Sequence, residues 1–291
     1  TILVEEKQMK KILFTTTALV ASTGFAMADG NLTWTGSANV GMKYSDQGTT
    51  TVHQEIDLAV AASGETDGGI GWAVEMGLDS TSTDSANTQA ADGGSVALSG
   101  DFGTIKVGNV STAGTSIGLP DVGFDTIGID DAAEKGRNAA TTSADMDVRW
   151  AYSMDEIALD VSIDTATDDM AASVKWSSGS LAIGISHAAA GATGGATANA
   201  ISVGTSVGAF SVNMMAASHS TSANDSVGMS ASMPVDGLGT VTFVTGSNDT
   251  DAKSSWGLGF SKALGGGATL AGAYGSANGN DVADLGISLS F

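Results

Sequence analysis

Leu285-Gly286-Ile287-Ser288-Leu289-Ser290-Phe291 places an apolar side chain at every second position and stops on an aromatic. A strand sends successive side chains to opposite faces, so this spacing puts Leu285, Ile287, Leu289 and Phe291 together and small residues behind them. One such strand fits the edge of an ordinary sheet as well as a sheet closed on itself. The choice depends on whether the rest of the chain repeats the pattern, and on the compartment it enters.

The pattern does repeat. From Leu32 to Tyr44 the even positions are Leu32, Trp34, Gly36, Ala38, Val40, Met42 and Tyr44, against Thr33, Thr35, Ser37, Asn39, Gly41 and Lys43. Val52, Ile56, Leu58 and Val60 oppose His53, Glu55 and Asp57; Ile70, Trp72, Val74, Met76 and Leu78 oppose Glu75 and Asp79. Met146, Val148, Trp150 and Tyr152 oppose Asp147 and Arg149, and Met170, Val174 and Trp176 lie across from Ser173 and Lys175. Weaker alternation continues to the end, with two short segments around Val96-Leu98 and Ile105-Val107. The count is about sixteen segments of roughly ten residues, the length that crosses a bilayer at barrel tilt, and an even count leaves both ends on the periplasmic side. Short turns such as Asp101-Phe102-Gly103, Gly208-Ala209 and Gly265-Gly266-Gly267 alternate with longer polar stretches, Ser80 to Gly93 and Ala188 to Ala198 among them. This reads as one all-β domain, a transmembrane antiparallel up-and-down β-barrel.

The other end supplies the compartment. Met9-Lys10-Lys11 is basic, Ile12 to Ala21 is mostly apolar but too short to span a bilayer, and Ala26-Met27-Ala28 has small-x-small spacing. The expectation is an upstream extension at 1–8, a secretory signal peptide at 9–28 and a barrel domain at 29–291. No Cys is present, which excludes disulfide stapling and thiol catalysis. The net charge of −21 argues against nucleic acid as a partner and favours cations. No stretch after the leader has the roughly 18 apolar residues of a membrane helix, so a bilayer partner requires a closed sheet.

A soluble β-sandwich or β-solenoid also alternates. A sandwich, however, covers its wet face with Lys, Glu and Arg, whereas this polar face is mostly Gly, Ala, Ser and Thr. A calcium-binding solenoid needs glycine-aspartate nonapeptides, and none occur. Trp34, Tyr44, Trp72, Trp150, Tyr152, Trp176, Trp256, Phe260, Tyr274 and Phe291 would have to form the interfacial girdles.

One connection breaks the rhythm. Between Thr104–Asn109 and Met146–Ser153 the chain loses alternation and carries Asp121, Asp125, Asp130, Asp131 and Glu134, then Lys135 and Arg137. Connections this long are usually functional. Asp130 to Lys135 fits a short helical turn. Asp130, Asp131 and Glu134 also offer hard oxygen ligands for calcium; the other reading is that close carboxylates only repel. No other cofactor is implied.

The leader, the alternating segments, Asp101-Phe102-Gly103-Thr104-Ile105-Lys106-Val107-Gly108-Asn109, the acidic third long loop and the terminal Phe291 together resemble Gram-negative general porins, nearest to the Rhodobacter type. The resemblance implies an outer-membrane homotrimer, a passive water-filled channel for small hydrophilic solutes and ions, and a third loop folded into the barrel. It places Asp121, Asp125, Asp130, Asp131 and Glu134 on that loop, with Arg137, opposite wall bases of lumen parity, Lys43, Lys106, Arg149 and Lys175. Two features depart from it: Asn109 stands where family members usually carry Arg, and the wall has few arginines. With Glu5, Glu6, Lys7, Lys10 and Lys11 set aside, acids outnumber bases 30 to 8, so cation preference is expected. His53, His187 and His219 sit in no catalytic motif, and no Gly-x-Ser-x-Gly or His-Glu-x-x-His occurs, which argues against an enzyme. The rival within the barrel class is a non-conducting structural or adhesive protein.

Overall fold

The computed structural model describes residues 30–48, 50–83, 86–138, 145–191, 195–220 and 224–291; the expected leader and the extension before it lie outside the described residues. The first half of the sheet is β1 (Gly30–Ser45), β2 (Thr51–Glu65), β3 (Gly71–Thr83), β4 (Ala86–Gly100), β5 (Gly103–Ser111), β6 (Asp145–Met154), β7 (Ile157–Ile163) and β8 (Met170–Ser178). The second half is β9 (Leu181–Ala189), β10 (Thr197–Val207), β11 (Phe210–His219), β12 (Ser226–Val235), β13 (Gly239–Asn248), β14 (Ser255–Gly265), β15 (Ala268–Ala277) and β16 (Asn280–Ser290). Each strand pairs antiparallel with its neighbour in sequence, and β1 pairs with β16, so the sheet has no edge. At the closing seam Val40 lies opposite Ile287 and Lys43 opposite Asp284. Gly36 and Phe291 exchange both backbone hydrogen bonds, 2.8 and 3.0 Å, and the Phe291 ring covers the space a Cβ on Gly36 would need.

The expected apolar faces are the outward ones. Trp34, Val40, Met42, Val74, Met76, Val174, Ile185, Met214, Leu258, Leu285 and Leu289 are all exposed. In water so much bare apolar surface would drive aggregation; in lipid it is the solvated face. Trp150 stacks on Tyr152, and Trp256 meets Tyr274 edge to face, both with centroids 5.9 Å apart.

One rim is clipped and the other elaborated. Two-residue turns join β4 to β5, β8 to β9, β10 to β11 and β14 to β15. Gly208, at φ +62 in the β10–β11 turn, has the left-handed conformation that such a turn demands. On the opposite rim, 80–83 and 86–93 are not the expected loop: they extend β3 and β4 as a long hairpin, where Ser80 pairs with Gln89 and Thr81 with Thr88. Ladder hydrogen bonds need only backbone groups, so Ser, Thr, Ala and Asn can extend a hairpin past the apolar band without alternation. The Ala188–Ala198 loop shrinks likewise to 190–196.

The β5–β6 connection turns into the barrel. A 3-10 turn at Ala113–Ser116 leads to α1 (Asp130–Asn138), longer than the helical turn expected at Asp130–Lys135. Asp130 and Asp131 open α1, and Lys135 and Arg137 close it, each sign at the end the helix dipole favours. Leu119, Val122, Ile127, Ile129 and Ala133 pack on Ala200, Met215, Ala217 and Val244 of the wall, the main apolar core. Fully burying a large aliphatic side chain is worth about 1.5–3 kcal/mol, enough to hold a loop without regular structure.

The wall carries glycines where the loop meets it. A Cβ on Gly246 would lie 2.7 Å from the Ala133 nitrogen, one on Gly257 2.9 Å from Ile129, and one on Gly41 2.7 Å from the Phe124 ring. These glycines serve close approach.

Candidate pore constriction

The loop tip is fastened to the seam between β1, β2 and β16. Phe124 is buried against Gly41 and Gly286, with the His53 ring edge-on at 5.9 Å. Buried Asp284 accepts hydrogen bonds from the Phe124 and Asp125 amides at 3.0 and 3.2 Å, and from the Ala273 amide at 2.9 Å. Hydrogen bonds to a charged group are worth about 1.5–3 kcal/mol each. Lys43 Nζ then reaches Asp125 Oδ2 at 2.7 Å and the Asp125 carbonyl at 3.1 Å. This contact is the one expected loop-acid-to-wall-base pair that forms.

The remaining expected groups do not share one site. Asp130, Glu134 and Arg137 are buried, on the wall side of the loop rather than lining open water. Glu134 pairs with Arg137 and accepts the Leu119 amide at 2.9 Å; Arg137 also donates to the Ile117 carbonyl. Burial pushes the Asp130 carboxyl up to about 8, helped by a hydrogen bond with Asp121 and by the charges of Asp121, Asp131 and Glu134. Burial raises Glu134 as well, against the pull of Arg137, and lowers Arg137. Missing water on that side penalises the charged form of each of these groups. These three groups are corrected from lining to support. The sequence places acids on the loop but does not show which turn of it faces the wall. Asp121 and Asp131 are exposed, and Asp125 is half-buried.

The wall bases pair locally. Lys106 meets Glu75 at 3.2 Å, and Arg149 binds Asp160 through two hydrogen bonds, the Nε one at 2.8 Å. Lys175 is exposed and feels the same Asp160. Asn109, which replaces the arginine of the resemblance, helps line a cavity of about 620 Å³ with Ser37, Asp57, Glu75, Lys106 and Asp145.

Of the three residues expected to hold calcium, Glu134 pairs with Arg137. Among the described residues, three ligand atoms come within 4.8 Å of one another at His53, Glu55 and Asp125, and at Glu55, Asp57 and Asp79. Sequence reasoning noted those β2 and β3 residues as lumen-facing without placing them in the site. Asp284 and Phe124 it missed entirely, although Asp284 has lumen parity in the terminal strand.

A narrow sleeve within a sixteen-stranded barrel is the architecture of a diffusion pore, and sequence comparison agrees. The family model described as Gram-negative porin matches residues 15–285. The chain belongs to that family. This porin is therefore an outer-membrane channel for passive diffusion, from a family of channels rather than enzymes. No curated protein matches it by sequence. Among solved structures, a triple mutant of the Rhodopseudomonas blastica porin is similar at TM-score 0.76 and 17% identity, covering 90% of this chain and 100% of that one. Another engineered variant of the same porin gives 0.77 and 18%, with the same coverage. At such identity the likeness concerns the fold alone, and the porin shares its closed barrel with them.

Proposed function

We propose that this porin is a cation-preferring homotrimeric channel for small hydrophilic solutes and ions, narrowed by the inward third loop. The observation that carries the cation preference is that Lys43, Lys106 and Arg149, three of the four expected wall bases, each sit against an acid. Glu55, Asp57 and Asp79 then add negative charge on the β2–β3 face. A narrow, low-dielectric gap of that sign concentrates cations. Exposed Asp121 and Asp131, half-buried Asp125 and Lys43 are the groups assigned to the constriction, with Lys106, Arg149 and Lys175 along the wall. The trimer rests on family resemblance.

Reconstitution into a planar bilayer under a salt gradient tests this. Conductance in groups of three, with a reversal potential favouring the cation, supports it. An anion-selective reversal potential removes the charge assignment, and a folded protein that never conducts favours the structural or adhesive barrel.

A further inference from the structure

We propose that His53, Glu55 and Asp125 form a binding site for a borderline divalent cation of the zinc class, stapling the third loop to β2. His53 and Glu55 are two apart on β2 and so share its lumen face. Asp125 is brought over them by the Asp284 clamp on its own amide. His53 Nε2 lies 3.1 Å from Asp125 Oδ2 and 3.8 Å from Glu55 Oε2. Zinc–ligand bonds of about 2.1 Å at tetrahedral angles set ligand atoms about 3.4 Å apart, a value these two distances bracket.

The second observation is the imidazole itself. His53 is 6% exposed, and its Nε2 has no hydrogen-bond partner while facing two carboxylates. A lone pair aimed at two anionic oxygens is repelled unless something positive stands between them. A metal ion fills that role; the alternative is the neutral tautomer that carries its N–H on Nε2. The Phe124 ring, edge-on at 5.9 Å, limits water's access to the imidazole.

The neighbouring groups are compatible with a metal. Asn39 Nδ2 donates to Glu55 Oε2 at 3.3 Å, which helps to fix that carboxylate while leaving Oε1 and a second lone pair of Oε2 for an ion. Lys43 holds the Asp125 carbonyl as well as Oδ2, so it keeps its grip on the loop when the carboxylate turns to a metal. One imidazole and two carboxylates suit zinc, cobalt or nickel. Magnesium and calcium prefer all-oxygen shells of six or more. The bound ion would add two positive charges at the loop seam and lower conductance to monovalent cations.

The test uses the purified, folded protein in detergent, titrated with zinc chloride by calorimetry while millimolar magnesium occupies weak carboxylate sites. One zinc per chain in the micromolar range is expected. His53→Gln and Glu55→Gln should each weaken binding at least tenfold, with heat-modifiable migration confirming each barrel. X-ray absorption of the zinc-loaded wild type should show imidazole nitrogen in the first shell, a readout independent of whether the variants fold. No saturable zinc uptake, an oxygen-only shell, or His53→Gln binding within twofold of wild type overturns the proposal and leaves the His53 Nε2–H facing its acids. Binding is read apart from conduction, so a channel that conducts without taking up zinc sinks this site alone.

Discussion

Raising the pH from 6 to 8 should loosen the third loop. With the loop seated, Asp130 holds its proton up to about pH 8; released into water it would return to its ordinary value of 3.8. A carboxyl raised in the seated state strengthens seating fully below the released value, and that contribution disappears as pH climbs through the seated one. Treating the two states as a single titration, the stabilisation falls by about 2 kcal/mol between pH 6 and pH 8, roughly 50-fold in the opening equilibrium. Asp121, the partner of Asp130, is exposed, so this is an upper value. Hydrogen exchange across 119–137, corrected for the intrinsic base-catalysed rate, measures it directly. Protection should drop with pH in this segment while β9 to β16 stay constant. Asp130→Asn should remove most of the slope; buried Glu134, shifted in the same direction, keeps a remainder. Equal protection at both pH values, or an undiminished slope in Asp130→Asn, would refute the account of a neutral acid held beneath the loop.

Phe124→Ala removes a buried ring, a change that costs about 3–5 kcal/mol in a packed core. The barrel should still form, but single-channel steps should grow and become noisier; unchanged steps would mean that the tip does not bound the pore. Gly246→Val keeps β13 a good strand but drives a Cβ toward the Ala133 nitrogen, a 2.7 Å approach, so α1 must lift and conductance should rise. A conductance equal to wild type would show that α1 does not rest there. Asp284→Asn leaves three amides facing a neutral acceptor and should cost about 1–3 kcal/mol of tip anchoring. Faster limited proteolysis between 119 and 129 checks it, and an unaltered cleavage rate would rule out the clamp.

The strand pattern was legible wherever one face touches lipid, because period-2 alternation is a direct imprint of that face. It failed at 80–83 and 86–93, where β3 and β4 continue as ladder-paired strands without alternation. The loop was legible as an interruption and as an acidic segment. Its orientation was not. Whether Asp130 or Asp131 faces water depends on the phase of α1 against β11 to β13, which is set by the Ser226 hydroxyl bonding the Ala133 carbonyl at 2.6 Å and by Asn248 reaching the Ala132 carbonyl at 3.2 Å. Those contacts join residues about a hundred positions apart. His53 illustrates the same limit: beside Glu55 in sequence it looks like a polar strand residue, and only the arrival of Asp125 gives it a second carboxylate.

The glycine-rich inner wall has a meaning beyond small lumen-facing residues. Strands β9 to β15 contain no Asp or Glu, and their one formal charge is Lys262. Strands β1 to β8 carry Lys43, Glu55, Asp57, Glu65, Glu75, Asp79, Asp92, Lys106, Asp145, Asp147, Arg149, Asp160 and Lys175. A charge under the loop would be desolvated against Leu119, Val122 and Ile129, at a cost of several kcal/mol unless paired. A charge on the opposite wall meets water. The low charge of β9 to β15 therefore matches the seat of α1 on β9 to β13, while the loop tip reaches β1 and β16 through paired or hydrogen-bonded groups. Asp284, the buried acid in β16, fits this division because three backbone amides satisfy it.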